Sequence, residues 1–206
     1  MLNVARKKPL CRVLGPGTRS VIWFYGCSKR CPDCIAGTMN ETDEYESIAP
    51  EQLAEWVLRN GDIEGITLSG GEPFDQPTEL LERFLALVRL NSKLSVLSYT
   101  GYLYEQLLEK DKNLAVLRHI DVLIDGEYRS EQDTGTRWRG SDNQRFHFLT
   151  PRYAAEKDEW YAAMGREIEL ELDLDGRLLI SGVPAKGLIE RLTKQLNENG
   201  VSIDFS

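Results

Sequence analysis

The chain is short of several things that mark common functional classes. It has no apolar run approaching membrane-span length. Basic residues are outnumbered, with 25 Lys and Arg against 33 Asp and Glu for a formal net charge of −8. That balance excludes a nucleic-acid binder working through a broad basic face. The small Arg6-Lys7-Lys8 cluster reads as a solvated tail, and no apolar segment follows it as a signal peptide would require. Histidine is scarce: His119 and His147 are the only two. His119, next to Ile120 and a strand, reads as structural, and nothing in the sequence requires His147 for chemistry. Cysteine is scarce too, and three of the four are bunched together, unlike the framework of a secreted disulfide protein. Reduced thiols suit the cytosol, so the expected compartment is cytoplasmic. There is no internal repeat and no low-complexity segment.

What is present reads as an ordinary globular chain of 206 residues, with room for a sizeable core and with one domain as the expected organisation over 1–206. Val21 to Tyr25, Gly65 to Ser69, Leu94 to Tyr99 and Asp121 to Asp125 are β-branched or aromatic runs, each closed by glycine or a turn, and read as buried strands. Between them, Pro50 to Asn60, Thr78 to Leu90 and Tyr104 to Leu117 (with a break near Asp111) carry helical periodicity. Asn40 to Ser47 and Glu127 to Arg145 read as polar connections. Glu167 to Leu174 alternates with period two. Asp175-Gly176 is a hairpin turn signal, Leu188 to Leu196 is an amphipathic helix and Val201 to Phe205 a short last strand. Alternating strand and helix implies a mainly parallel sheet. A full eight-fold barrel takes about 250 residues, so the expected fold is α/β: a partial, open β/α barrel over about 10–150, with a C-terminal β-hairpin and helix in 151–206.

Three cysteines lie within eight residues: Cys27, Cys31 and Cys34. Soft thiolates on one short loop point to a metal or cluster site, and Lys29 and Arg30 inside the loop are expected to favour thiolate. Three ligands leave one iron of a 4Fe–4S cube open for a reactive ligand. The competing reading is structural zinc with Cys11 as fourth ligand; alone, Cys11 reads as a small buried hydrophobe. Gly70-Gly71-Glu72-Pro73 follows the second of the four strands. Its glycines permit close backbone approach to a ligand, and Glu72 supplies a carboxylate to receive an ammonium or to fix the turn. Thr100-Gly101 and Asp125-Gly126 close the next two strands. In parallel α/β folds all these positions share one sheet edge, where sites form.

The cysteine spacing after a first strand and Gly70-Gly71-Glu72-Pro73 after a second resemble the radical S-adenosylmethionine (SAM) superfamily. Gly15-Pro-Gly17, Thr18-Arg19, Tyr99-Thr-Gly-Tyr102, Asp121-Val-Leu-Ile-Asp-Gly126 and Trp138-Arg-Gly-Ser-Asp-Asn-Gln-Arg145 narrow the resemblance to activating enzymes of glycyl-radical proteins, above all those of anaerobic ribonucleotide reductases. The resemblance covers about residues 10–150. It implies that Cys27, Cys31 and Cys34 hold three irons of a 4Fe–4S cluster and that the fourth iron chelates SAM. Reductive cleavage would give a 5′-deoxyadenosyl radical that takes hydrogen from a glycine of a large partner enzyme. A reduced flavodoxin- or ferredoxin-type protein would supply the electron. By the same resemblance, backbone from Gly70 to Glu72 meets the methionyl ammonium, the backbone around Asp33 meets the adenine, Thr100 lines the pocket, and Asp125 lies near the ribose or orders its loop. No side-chain acid or base is named as catalytic.

Two alternatives stay open at this point: a radical SAM enzyme acting on another peptide or small molecule, and a non-catalytic zinc-binding module. Arg137, Trp138, Arg139 and Arg145 read either as a docking or SAM-carboxylate surface or as a solvated loop.

Overall fold

A computed structural model describes residues 1–37, 44–172 and 178–199. The core is a seven-stranded sheet whose strands, from one edge to the other, are Glu46–Ile48 (β3), Leu2–Cys11 (β1), Arg19–Phe24 (β2), Gly65–Gly70 (β4), Ser95–Thr100 (β5), Val122–Asp125 (β6) and Arg145–Phe148 (β7). Its centre is parallel: β2 (Arg19–Phe24), β4 (Gly65–Gly70), β5 (Ser95–Thr100) and β6 (Val122–Asp125) run in one direction. The crossovers are α1 (Pro50–Arg59), α2 (Thr78–Asn91), and the pair α3 (Tyr104–Leu108) and α4 (Asp111–Leu117), separated at the expected break. Ile22, Phe24, Ile66, Leu68, Val96 and Leu123 meet Leu53, Val57, Leu81, Phe84, Leu85, Val88 and Val116 of the helices in one cluster. On the other face, Leu97, Val122 and Ile124 pack against Trp138, Phe146 and Trp160, while Val21 and Trp23 pack with Cys11, Val13 and Leu14. Both faces are covered, which is why these strands read as unbroken apolar runs.

Antiparallel strands flank this centre, and the sequence reading lacked them. The expected N-terminal tail is instead β1 (Leu2–Cys11), paired with β2 and with the short β3 (Glu46–Ile48). Leu2 and Val4 enter the core, and Arg6 lies 4.9 Å from the centre of the Trp23 ring. Glu46 and Ser47, expected in a loop, are therefore strand residues. The polar stretch after Gly126 ends in β7 (Arg145–Phe148), antiparallel to β6 with Asp125 opposite Arg145. Trp138 in that stretch is buried against Trp160 of α5 (Lys157–Ala162), and Arg139 donates to the carbonyls of Asp142 and Gln144. Neither residue is part of an open docking or SAM-carboxylate surface.

The C-terminal hairpin is β8 (Ile168–Leu172) and β9 (Leu178–Gly182), with Leu172 opposite Leu178. Its expected turn at Asp175-Gly176 and the expected strand Val201 to Phe205 lie outside the described residues. The hairpin is tied to β1: Lys8 Nζ lies 3.1 Å from Glu169 and 3.0 Å from Glu171, and Arg6 Nη1 donates to the Ile180 carbonyl at 3.2 Å. It thus closes over the end of β1 that carries Cys11. The amphipathic stretch forms α6 (Leu188–Glu198), whose Leu188, Ile189, Leu192 and Leu196 are half-buried. Among the described residues no helix is long and apolar enough to cross a membrane.

Candidate metal and cofactor site

Strands β2, β4, β5 and β6 end at one edge of the sheet, and the cysteine loop, Gly70-Gly71-Glu72-Pro73, Thr100-Gly101 and Asp125-Gly126 lie there. Gly26, at φ +89°, turns the chain out of β2 into the cysteine loop. Within that loop Arg30 and Asp33 take left-handed backbone angles, φ 48° and 59°. Such angles are uncommon in residues with side chains, and here they fold three cysteines into a tight turn. Cys27, Cys31 and Cys34 are all free and half-buried.

The donor set suits thiolate ligands of a cluster. Backbone N–H groups face each sulfur: those of Lys29 and Arg30 at Cys27, that of Tyr128 at Cys31, and those of Ala36 and Gly37 at Cys34. Burial pushes all three thiols up, these N–H groups act in the opposite sense, and Cys27 raises both Cys31 and Cys34 by charge. Among the described residues no three His, Cys, Asp or Glu side chains gather at one metal-ion position. A cube takes its thiolates at separate corners, whereas mononuclear zinc needs its ligands on one point. Cys11 pairs with Arg19, at the opposite end of the six-residue β2. At about 3.3 Å per residue that places it roughly 20 Å from the cysteine loop, so a zinc site completed by Cys11 does not form. Within the loop, Lys29 Nζ sits 3.9 Å from the centre of the Tyr102 ring and 3.4 Å from Glu127.

Gly70-Gly71-Glu72-Pro73 is wedged against the start of the cysteine loop. Gly71 N donates to the Phe24 carbonyl at 2.7 Å and Glu72 N to the Gly26 carbonyl at 2.8 Å. A Cβ on Gly71 would lie 2.1 Å from Gly26 O, so only glycine fits. The Glu72 carboxylate is buried and accepts from three protein donors. Oε1 accepts from Phe74 N at 3.0 Å and Thr100 Oγ1 at 2.8 Å, and Oε2 accepts from Gly101 N at 2.7 Å. Burial pushes its pKa up to about 7 against the pull of these donors. Of the two roles open to it, the turn-fixing one is seen. Thr100 is buried with its hydroxyl on Glu72.

Asp125, also buried, accepts from Tyr104 N at 2.7 Å, pairs with Arg145, and lies 3.0 Å from His147 Nε2, off the line of a hydrogen bond. Although burial works the other way, His147, Arg145 and the Tyr104 amide bring its pKa down to about 2. Loop ordering is the role this geometry supports. Asp33 is exposed, and its side chain accepts from Ser130 Oγ at 2.9 Å, linking the cysteine loop to the segment after β6.

A depressed folded pKa means stability that is present above the unfolded value near 4 and is lost as pH falls through the folded value near 2. The parent is therefore expected to exceed Asp125→Asn by roughly 2 kcal/mol at pH 5, the gap closing between pH 4 and pH 2. Urea unfolding of both at several pH values measures it. A gap that does not change with pH would show that the Asp125 charge is not what Arg145 and His147 stabilise.

Sequence reasoning missed the ties that hold these loops together. Ser28 N donates to Asp75 Oδ2 at 2.7 Å, and Tyr102 Oη donates to Asp75 Oδ1 at 2.8 Å. Gln76 spans Asn3 N and the Tyr25 carbonyl. Gln144 Nε2 donates to Gly126 O and Asn143 Nδ2 to Glu127 O. Only the short distance between Gly-Gly-Glu-Pro and Asp75-Gln76 gave a sequence signal. His119, beside Glu82 at 3.3 Å, lies among α2 and α4 contacts away from this edge, as a structural residue would.

The family described as a 4Fe-4S single cluster domain matches residues 13–147. The anaerobic ribonucleoside-triphosphate reductase-activating protein of Enterobacteria phage T4 is 34% identical over 149 residues, covering 70% of this chain and 92% of the relative. The protein of the same name from Vibrio cholerae serotype O1 is 31% identical over 160 residues (72% and 99%). That from Escherichia coli K12 is 29% identical over 157 residues (72% and 99%).

Proposed function

Because the chain belongs to the family of anaerobic ribonucleoside-triphosphate reductase-activating proteins, we propose that it is a radical SAM activase that generates a glycyl radical on an anaerobic ribonucleotide reductase. The observation that carries this reading is the meeting of three free cysteines with the Gly-Gly-Glu turn at one sheet edge. Cys27, Cys31 and Cys34 would hold the cluster. When bound, a 4Fe–4S cluster with one open iron supplies the electron and the docking point for reductive cleavage of SAM to a 5′-deoxyadenosyl radical. The chain's own residues bind and orient. With the Glu72 carboxylate occupied by protein donors, the backbone of Gly70 to Glu72 is left to meet the methionyl ammonium. The backbone at Asp33 would meet the adenine. Thr100 acts through Glu72, and Asp125 holds the end of β6 through Tyr104, Arg145 and His147.

In this reading the chain is one functional unit, the sheet is a partial, open barrel that a partner loop enters laterally, and the electron comes from a reduced flavodoxin- or ferredoxin-type protein. The working compartment would be the cytoplasm.

The test is anaerobic reconstitution with iron and sulfide, reduction, and addition of SAM and an anaerobic ribonucleotide reductase. The expected results are 5′-deoxyadenosine in solution and a glycine-centred doublet by electron paramagnetic resonance. Deoxyadenosine without a doublet would move the substrate to another peptide or a small molecule. A protein that takes up zinc alone and leaves SAM intact would overturn the reading altogether.

A further inference from the structure

The geometry points to Asp75 and Tyr102 as positioning residues that set the Cys27–Cys31 turn in its ligating shape before iron arrives. This rests on the cluster reading above. The turn has little packing of its own: a Cβ at Gly26 would meet nothing within 4 Å, and Arg30 stands at φ 48°. Polar ties must hold it. Asp75 provides the main one, accepting from Ser28 N, the amide next to Cys27, at 2.7 Å. Its other oxygen accepts from Tyr102 Oη at 2.8 Å, and Tyr102 Oη is 3.2 Å from Ser28 Oγ. The Tyr102 ring also carries Lys29 Nζ at 3.9 Å from its centre. Two consecutive residues of the turn are thereby fixed by one aspartate and one tyrosine.

Both anchors are themselves fixed to the sheet. Asp75 N donates to the Glu72 carbonyl at 3.1 Å within the short 3-10 turn Pro73–Asp75, and Glu72 is bound to Thr100 and Gly101. Tyr102 N donates to Thr100 Oγ1 at 3.1 Å, and its carbonyl accepts from Gly126 N at 3.1 Å. A continuous path thus runs from the ends of β5 and β6 to the amide beside Cys27. The Gly-Gly-Glu-Pro motif is the middle of that path. A preformed ligand set loses less conformational freedom when it binds iron, so it holds the iron longer.

Asp75 is exposed and Tyr102 half-exposed, so removing either costs the fold little while freeing the turn. The experiment uses the full chain with Asp75→Ala, Tyr102→Phe and Asp75→Asn. Iron per chain and the rate of iron loss to a chelator are read on reconstituted protein. Apo unfolding midpoints and Ser28 amide exchange are read in parallel. Asp75→Ala is expected to lose iron several-fold faster than the parent and to expose the Ser28 amide, with an apo midpoint close to the parent's. Tyr102→Phe should fall between the two. Asp75→Asn should restore most of the retention, because its amide oxygen accepts from Ser28 N and its nitrogen donates to Tyr102 Oη.

Iron retention equal to the parent's in Asp75→Ala would overturn the inference, as would no recovery in Asp75→Asn. If the parent itself takes up no cluster, the function proposed above fails. The apo exchange data then decide the positioning claim separately: Ser28 protected in the parent and open in Asp75→Ala supports it, and no protection in the parent sinks it.

Discussion

Alanine at Cys27, Cys31 or Cys34 is expected to remove the visible absorbance of a 4Fe–4S cluster and to drop SAM cleavage to background, while Cys11→Ala keeps both. The contrast is large because a cube bound by two thiolates has lost one of its three covalent protein ligands. Cys11 is separated from the site by the length of β2 and is buried among Val13, Leu14, Val21 and Trp23, where burial pushes its thiol up to about 11. A thiol so hard to ionise is a poor ligand and a poor nucleophile. Its replacement is expected to act on stability alone, at the modest cost of losing one sulfur from a packed cluster. Anaerobic reconstitution of the four single variants, with iron and sulfide analysis and deoxyadenosine measured by chromatography, checks this. A parent-like cluster in any one of the three loop variants would mean that the ligand set is not Cys27, Cys31 and Cys34. Loss of iron in Cys11→Ala with an unchanged unfolding midpoint would bring Cys11 back as a ligand.

The parts of this edge that were legible in the sequence are those whose signal is local. The strands at Val21, Gly65, Ser95 and Val122 carry apolar residues on both faces because helices cover one face and Trp138, Trp160 and the β1 region the other. The cysteine spacing and the glycine pair need no distant partner to be seen. Strand β1 was not legible because it carries Arg6, Lys7 and Lys8 in a row. These look like a solvated tail until Trp23, Glu46, Glu169 and Glu171 arrive from elsewhere in the chain to meet them. Strand β7 was hidden in the same way: Arg145 and His147 are polar because they meet Asp125 across the β6–β7 pair. The site followed this rule at finer scale. That Glu72, Thr100 and Asp125 sit at the edge was readable. That Glu72 is held by Thr100 and Gly101 was not, because those bonds depend on how β4 and β5 align.

Register also decides the effect of the smallest substitution with a large consequence. Gly71→Ala adds one methyl group, and its Cβ would stand 2.1 Å from Gly26 O and 2.7 Å from Gly26 C. These are backbone atoms, so no rotamer change relieves the clash. The turn after β4 must move away from the end of β2. Moving it stretches the bonds from Gly71 N to Phe24 O and from Glu72 N to Gly26 O, and with them the anchor of Asp75 on Ser28. Overpacking of this kind costs about 1–3 kcal/mol. The expected outcome is a lowered urea midpoint together with loss of cluster retention, since the cysteine loop begins at Gly26. Gly61→Ala is the control: a Cβ there meets nothing within 4 Å and the backbone angle is one that alanine adopts, so its midpoint and iron content should match the parent's. A Gly71→Ala protein with parent-like stability and parent-like iron would show that the two loops are not in fact locked at Gly26. The Gly-Gly-Glu turn would then contact ligand without also bracing the cysteines.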